Sequence, residues 1–140
     1  MPGVGIGTIT SLLTDGLRSF ILAQPAIAAI VADRVQPIPA PEDLSRPIIV
    51  YSSPSDKSEN ANDGPVGVAT TRVVFDCYAP QYRDARALAL MLKALFNGYA
   101  GTLPDGNVVQ LATSESLADR FDDGSRISCT TFQTLITYGD

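Results

Sequence analysis

Two cysteines, fifteen carboxylates and no histidine bound the chemistry that these 140 residues can attempt. Histidine is the usual base for a Ser or Cys nucleophile and the commonest transition-metal ligand, so its absence removes the ordinary hydrolase and metal constellations. Cys77 follows Asp76 directly, but neighbours in a strand point to opposite faces and make no dyad. Glu42-Asp43 and Asp122-Asp123 set carboxylates side by side; loop and turn solvation accounts for each better than general acid–base work. Asp119-Arg120-Phe121-Asp122-Asp123-Gly124 lacks the alternating oxygen ligands of a calcium loop, and Asn60-Ala61-Asn62-Asp63-Gly64 reads first as turn chemistry. Gly3, Gly5 and Gly7 have no strand before them and no Lys-Ser/Thr after them, so they read as a loose leader over residues 1–7, not a phosphate loop. The sequence predicts no catalytic residue, no cofactor and no metal.

The segment that organises the rest runs from Thr70 to Gly98. Thr71, Val73, Phe75 and Cys77 alternate with Arg72, Val74, Asp76 and Tyr78, the period of a half-buried strand. Ala79-Pro80 ends it, because Pro80 cannot donate to a ladder. Tyr82, Ala85, Leu88, Ala89, Leu92, Leu95 and Phe96 then recur at helical spacing, and Asn97-Gly98 supplies a left-handed stop. This helix is expected to lie across the sheet.

Upstream, Thr8 suits a helix cap, and Ile9, Leu12, Leu13, Leu17, Phe20 and Ile21 keep helical spacing to about Ala23, with Gly16 as a weak point. Pro25 opens a short helical turn to Val31, and a short strand fits around Val35. Pro37, Pro39, Pro41 and Pro47 make an extended covering link. Residues 47–52 are β-branched and strand-like, and Ser53 to Pro65 reads as a long polar loop before the Thr70 strand. Pro104-Asp105-Gly106-Asn107 predicts a hairpin turn between Gly101–Leu103 and Val108–Leu111. Ala112 to Ser125 is polar and either carries the Leu111 strand onward or bulges from it. Ile127 to Tyr138 is the last strand; Leu135 and Ile136 disagree about its inward face. The expected architecture is α+β: an antiparallel or mixed sheet packed by two α-helices in a single domain over residues 1–140.

A chain of this length suits one domain and buries roughly two-thirds of its unfolded surface, enough for a core without staples. The net charge of −5 and the lack of any Lys/Arg run argue against general nucleic-acid binding. No apolar run reaches bilayer length, and Met1-Pro2-Gly3-Val4-Gly5 lacks the basic start of a signal peptide, so the chain is expected to stay in the cytosol where it is made. Cys77 and Cys129 read as two small buried thiols; a disulfide between adjacent strands would need an oxidising compartment.

Three stretches point outward. On the long helix, Ala87, Leu90 and Ala94 lie opposite the core stripe with Met91 to one side, and Arg83, Arg86 and Lys93 lie around them. A solvated face usually holds more charge. Either the first helix or the Pro-rich link covers it, or it is a subunit interface. The other two are the long polar segments. The first offers Ser55, Asp56, Lys57, Glu59, Asn62 and Asp63; the second offers Glu115, Asp119, Arg120 and Asp122.

The order of Pro25-Ala26-Ile27 to Asp33-Arg34-Val35, then Pro47-Ile48-Ile49-Val50-Tyr51, then Asp76-Cys77-Tyr78-Ala79 and the helix with Asp84-Ala85-Arg86-Ala87-Leu88-Ala89 resembles the small tail-completion, or tail-terminator, proteins of long-tailed bacteriophages. The similarity runs over nearly the whole chain. It implies an α+β fold with an antiparallel sheet and two helices. It implies a six-subunit ring of this chain on the head-proximal end of the tail, touching the major tail-tube protein and a head-closure or connector protein. No catalytic residue, cofactor, nucleic-acid sequence recognition or membrane contact comes with it. Such a ring ends tube polymerisation and is assembled in the bacterial cytoplasm. The Ser53–Pro65 loop and the Thr-rich last strand depart from the usual pattern. A head-closure or tail-tube protein is the alternative reading, and a small ligand-binding module or enzyme the next.

Overall fold

A computed structural model describes residues 13–56, 68–104, 106 and 108–139. The elements are α1 (Leu13–Leu22), α2 (Pro25–Val31), β1 (Val35–Pro37), β2 (Ile48–Asp56), β3 (Val68–Ala79), α3 (Tyr82–Phe96), β4 (Gly101–Thr102), β5 (Val108–Asp122) and β6 (Ile127–Gly139). The six strands form one sheet in the order β1-β2-β3-β6-β5-β4. Only β1 and β2 run parallel; all other neighbours are antiparallel, which makes the sheet mixed. The fold is α+β as expected, with the Pro25 turn grown into a third, seven-residue helix.

The alternation of β3 sets the layers. Thr71, Val73, Phe75, Cys77 and Ala79 are buried, and the residues between them are half-exposed. Val73, Phe75 and Cys77 share one core with Leu17 and Ile21 of α1, Ile27 and Val31 of α2, and Leu88, Ala89, Leu92 and Phe96 of α3. All three helices therefore lie on one face. Gly16 also falls on the buried side of α1, which explains a residue that costs helix stability. In β6 the even residues win: Phe132, Thr134 and Ile136 are buried inward, and Leu135 takes the other face beside Arg72 and Thr113.

Rings tie the layers together. Phe75 pairs directly with Phe132 across the β3–β6 ladder, with centroids 6.2 Å apart, and stacks at 5.5 Å on Phe96 of α3. Phe20 of α1 meets Phe96 edge-on at 5.8 Å and Tyr99 at 4.6 Å. Offset and edge contacts of this kind add about 0.5–1.5 kcal/mol each beyond their buried area.

Local boundaries differ from the sequence reading in two places. β2 continues through Ser53 to Asp56, paired with Arg72 and Thr71 after a bulge between Ser52 and Ser55. Pro54 sits in that bulge, where its missing N–H leaves no ladder bond unmade. The polar composition hid a strand whose partner, β3, holds it. At the end of α3, Asn97 stays extended and only Gly98 turns left-handed, with φ +80°. The leader and the Thr8 cap lie outside the described residues.

Candidate assembly surfaces

The outward face of α3 follows from its own spacing. Ala85, Leu88, Ala89, Leu92 and Phe96 are buried, so Ala87, Leu90 and Ala94 point to the far side and are exposed. Leu90 keeps 45% of its surface. Met91 differs: it is half-buried and packs on the core. Among the described residues neither α1 nor the Pro-rich link covers Leu90. Arg83 and Lys93 flank it and carry no ion pair among the described residues. Arg86 reaches down to Asp119 of β5 at 3.2 Å, which fixes the side of the helix that overhangs β5.

The Ala112–Ser125 segment is both of the things its composition allowed. It is strand, paired with β6 down to Asp122↔Ile127, and it bulges between Ser114 and Ser116; a second bulge, between Val109 and Leu111, lies just before it. β4 pairs with only Val108 and Val109 on its other side, and Gly98 and Tyr99 add main-chain bonds to Ala112. Beyond Ser114 that outer edge holds no strand among the described residues.

The four polar residues singled out here do not act as one site. Glu115 accepts from Arg72 on the face away from the helices, at 2.7 Å, and that bond holds its carboxyl below the usual range. Asp119 lies on the helix side. It accepts from the Thr130 hydroxyl at 2.8 Å, the main reason its carboxyl is held low, with Arg86 adding to it. Arg120 lies on the opposite face again, 3.5 Å from Asp76 and 3.1 Å from the Cys129 sulfur. Asp122 is tied into its own turn, accepting from the Ser125 N–H and hydroxyl. Bulges and cross-strand ion pairs of this kind are the usual protection of a long edge strand.

Ser55 and Asp56 sit on β2 opposite Arg72 and Thr71, not in a loop. Lys57, Glu59, Asn62 and Asp63 lie outside the described residues. Composition did not single out Ile38 and Phe121, which are 59% and 51% exposed, and Tyr82, read as the start of the core stripe of α3, is 53% exposed instead. Phe121 could have been found as the one aromatic ring in a run of polar residues.

The described residues line several clefts. One of about 660 Å³ opens between the start of α3 and the β5–β6 turn, lined by Tyr82, Asp119, Phe121 and Arg126 among others; it holds no nucleophile–base pair. Cys77 points into the core, where burial pushes its thiol well above the ordinary value. Cys129 sits opposite Tyr78 on the other face, and burial raises it too, against the smaller opposing pull of Arg120. Both thiols are free, and their opposite faces preclude a bond between them. No group of three metal-ligating side chains exists among the described residues, and no described helix is long and apolar enough to cross a membrane.

Comparison with known proteins places this arrangement. The model of the family described as tail completion protein gp17 matches residues 15–137. No curated protein matches. Among solved structures, a chain of the virion of a native gene transfer agent particle superposes with a TM-score of 0.65 at 16% identity, covering 91% of this chain and 91% of that one. At that identity the likeness is one of fold.

Proposed function

The chain belongs to the tail completion protein gp17 family, a family of phage tail structural proteins, and from that membership we propose that it closes the head-proximal end of the tail tube as a ring. The ring adds to the last tube layer, offers no further tube-binding face and presents a surface to the head connector. It acts by shape complementarity and catalyses nothing. The observation that carries this reading is the family match across nearly the whole chain. The exposed apolar helix face agrees with it. A ring requires heterologous contacts that close by rotation, and the copy number in this reading is six. Its partners are further copies of itself, the major tail-tube protein and the head-closure or connector protein. The end of β2, with Ser55 and Asp56, and the following Lys57, Glu59, Asn62 and Asp63 form the first proposed contact. The second proposed contact lies along β5, with Glu115 and Arg120 offering one face of it, Asp119 the other and Asp122 the turn at its end.

Electron microscopy of lysates from a phage lacking this gene tests the reading. Filled heads beside unattached tails, some overlong, are the expected result. Heads that leak DNA beside tails of normal length would move the protein to head closure. Complete particles would sink both.

A further inference from the structure

The two flanks of the molecule are unlike, and their differences match. On one flank α3 overhangs β5, fixed there by Arg86–Asp119. This flank shows Leu90 between Arg83 and Lys93, cations without an ion-pair partner among the described residues. On the opposite flank α1 packs over β1 and β2. There an apolar notch of about 300 Å³ is lined by Thr14, Pro37, Ile38, Tyr51, Ser52 and Ser53. Asp15, next to Thr14 in the chain, is exposed, and its charge adds to burial, the larger cause, in raising the Tyr51 phenol; Arg18 opposes it but is half-buried, with its guanidinium bonded to the Val35 and Asp33 carbonyls.

The notch flank cannot extend the sheet. The Val35 N–H is taken by the Asp33 carbonyl, the Val35 carbonyl accepts from Arg18 at 2.6 Å, and Pro37 has no N–H. A contact there must therefore be made by side chains. The same Arg18, and Arg34 bonded to Pro47 and Ile30, hold β1 in place, so the notch is preformed.

From these features we infer that a second copy of this chain occupies the notch. Leu90 of one copy seats against Ile38 and Tyr51 of the next, with Lys93 and Arg83 beside the next copy's Asp15. The inference rests on the ring reading and names its interface. One flank donates and the other receives, so the contact is heterologous and propagates around a ring instead of stopping at a pair. Charge complementarity selects the partner: the helix from Tyr82 to Phe96 carries three cations and one anion in a chain whose net charge is −5, and the exposed charge beside the notch is Asp15, the nearby Arg18 being half-buried and bonded to main-chain carbonyls. A desolvated leucine with a rim of opposite charges is the usual composition of such a contact.

Cysteine cross-linking and charge exchange test it on the full chain. Leu90→Cys with Ile38→Cys in one chain should give, on oxidation, a ladder of covalent multimers, because Cys77 and Cys129 are buried. Lys93→Glu and Asp15→Lys should each abolish the multimer seen by native mass spectrometry, and the two together should restore it. Circular dichroism of each variant should match the wild type, since all four positions lie on the surface. If the wild type forms rings, free or on tails, while no ladder appears and the charge variants assemble normally, the interface is elsewhere and the ring reading stands. If no ring exists in solution or on purified tails, the ring reading fails and the interface falls with it.

Discussion

The Thr130 hydroxyl donates to the Asp119 carboxylate at 2.8 Å, and Arg86 of the helix above approaches the same carboxylate at 3.2 Å. Thr130 is fully buried, whereas Arg86 and Asp119 are each more than a third exposed. Their contributions should differ accordingly. Removing Asp119 leaves a buried hydroxyl without its acceptor, a loss of about 1–2 kcal/mol. Removing Arg86 breaks a surface ion pair worth less than about 1 kcal/mol. Urea denaturation of Asp119→Ala and Arg86→Ala should rank them in that order. Equal midpoints would mean that Thr130 finds water.

The same carboxylate sets a pH dependence. Its folded pKa is depressed, first by the Thr130 hydrogen bond and then by Arg86. A depressed folded pKa contributes stability that is present above the unfolded value of about 3.9 and is lost as pH falls through the folded value. Glu115, lowered by its bond from Arg72, acts in the same direction. The urea midpoint should therefore fall as pH drops from about 5 towards 2, and Asp119→Asn should flatten that fall. A variant with the wild-type slope would assign the acid sensitivity to other carboxylates.

The two thiols make a third prediction. Cys77 is wholly buried and Cys129 is 4% exposed, and burial holds both pKa values up. A thiol reagent at neutral pH should label neither in the native protein and both in denaturant. Mild oxidation of the native monomer should leave two free thiols, because the side chains lie on opposite faces of the sheet. An intramolecular disulfide formed without unfolding would contradict the register Tyr78↔Cys129.

What the sequence disclosed follows the strength of each local signal. β3 and α3 were legible because burial imposes periods of two and 3.6 on Thr71–Cys77 and Ala85–Phe96. The end of β2 was not, because Ser53, Pro54, Ser55 and Asp56 have turn chemistry and are strand only through pairing with β3. The inward face of β6 was undecidable while Leu135 and Ile136 were read alone; Phe75 opposite Phe132 decides it. The exposed face of α3 was readable from spacing alone. The notch that complements it was not, since Thr14, Ile38 and Tyr51 come together only when α1 lies over β1 and β2. The polar run from Ala112 suggested one contact segment, yet a strand turns successive residues to opposite faces, and its charges answer Arg72, Arg86 and Asp76 within the chain.

The fourth prediction concerns Phe75, the ring between Phe96 and Phe132. It is 1% exposed and joins the central strand pair to the helix above. Phe75→Ala removes both ring contacts and leaves a cavity that neither a strand nor a fifteen-residue helix can collapse into, so the loss should be about 3–5 kcal/mol. Against a total stability of roughly 5–15 kcal/mol this is a large share of the margin. Phe75→Leu keeps most of the volume and should lose about 1–2 kcal/mol. Calorimetry of the two should show a large and a small drop in Tm. The pair also separates folding from assembly in a complementation assay. Phe75→Ala should lose tail joining only together with its drop in Tm, as assays approach the lowered melting range, while Leu90→Asp should fail with a wild-type Tm. If Phe75→Ala melts within a few degrees of wild type, the aromatic stack is not what holds α3 to the sheet.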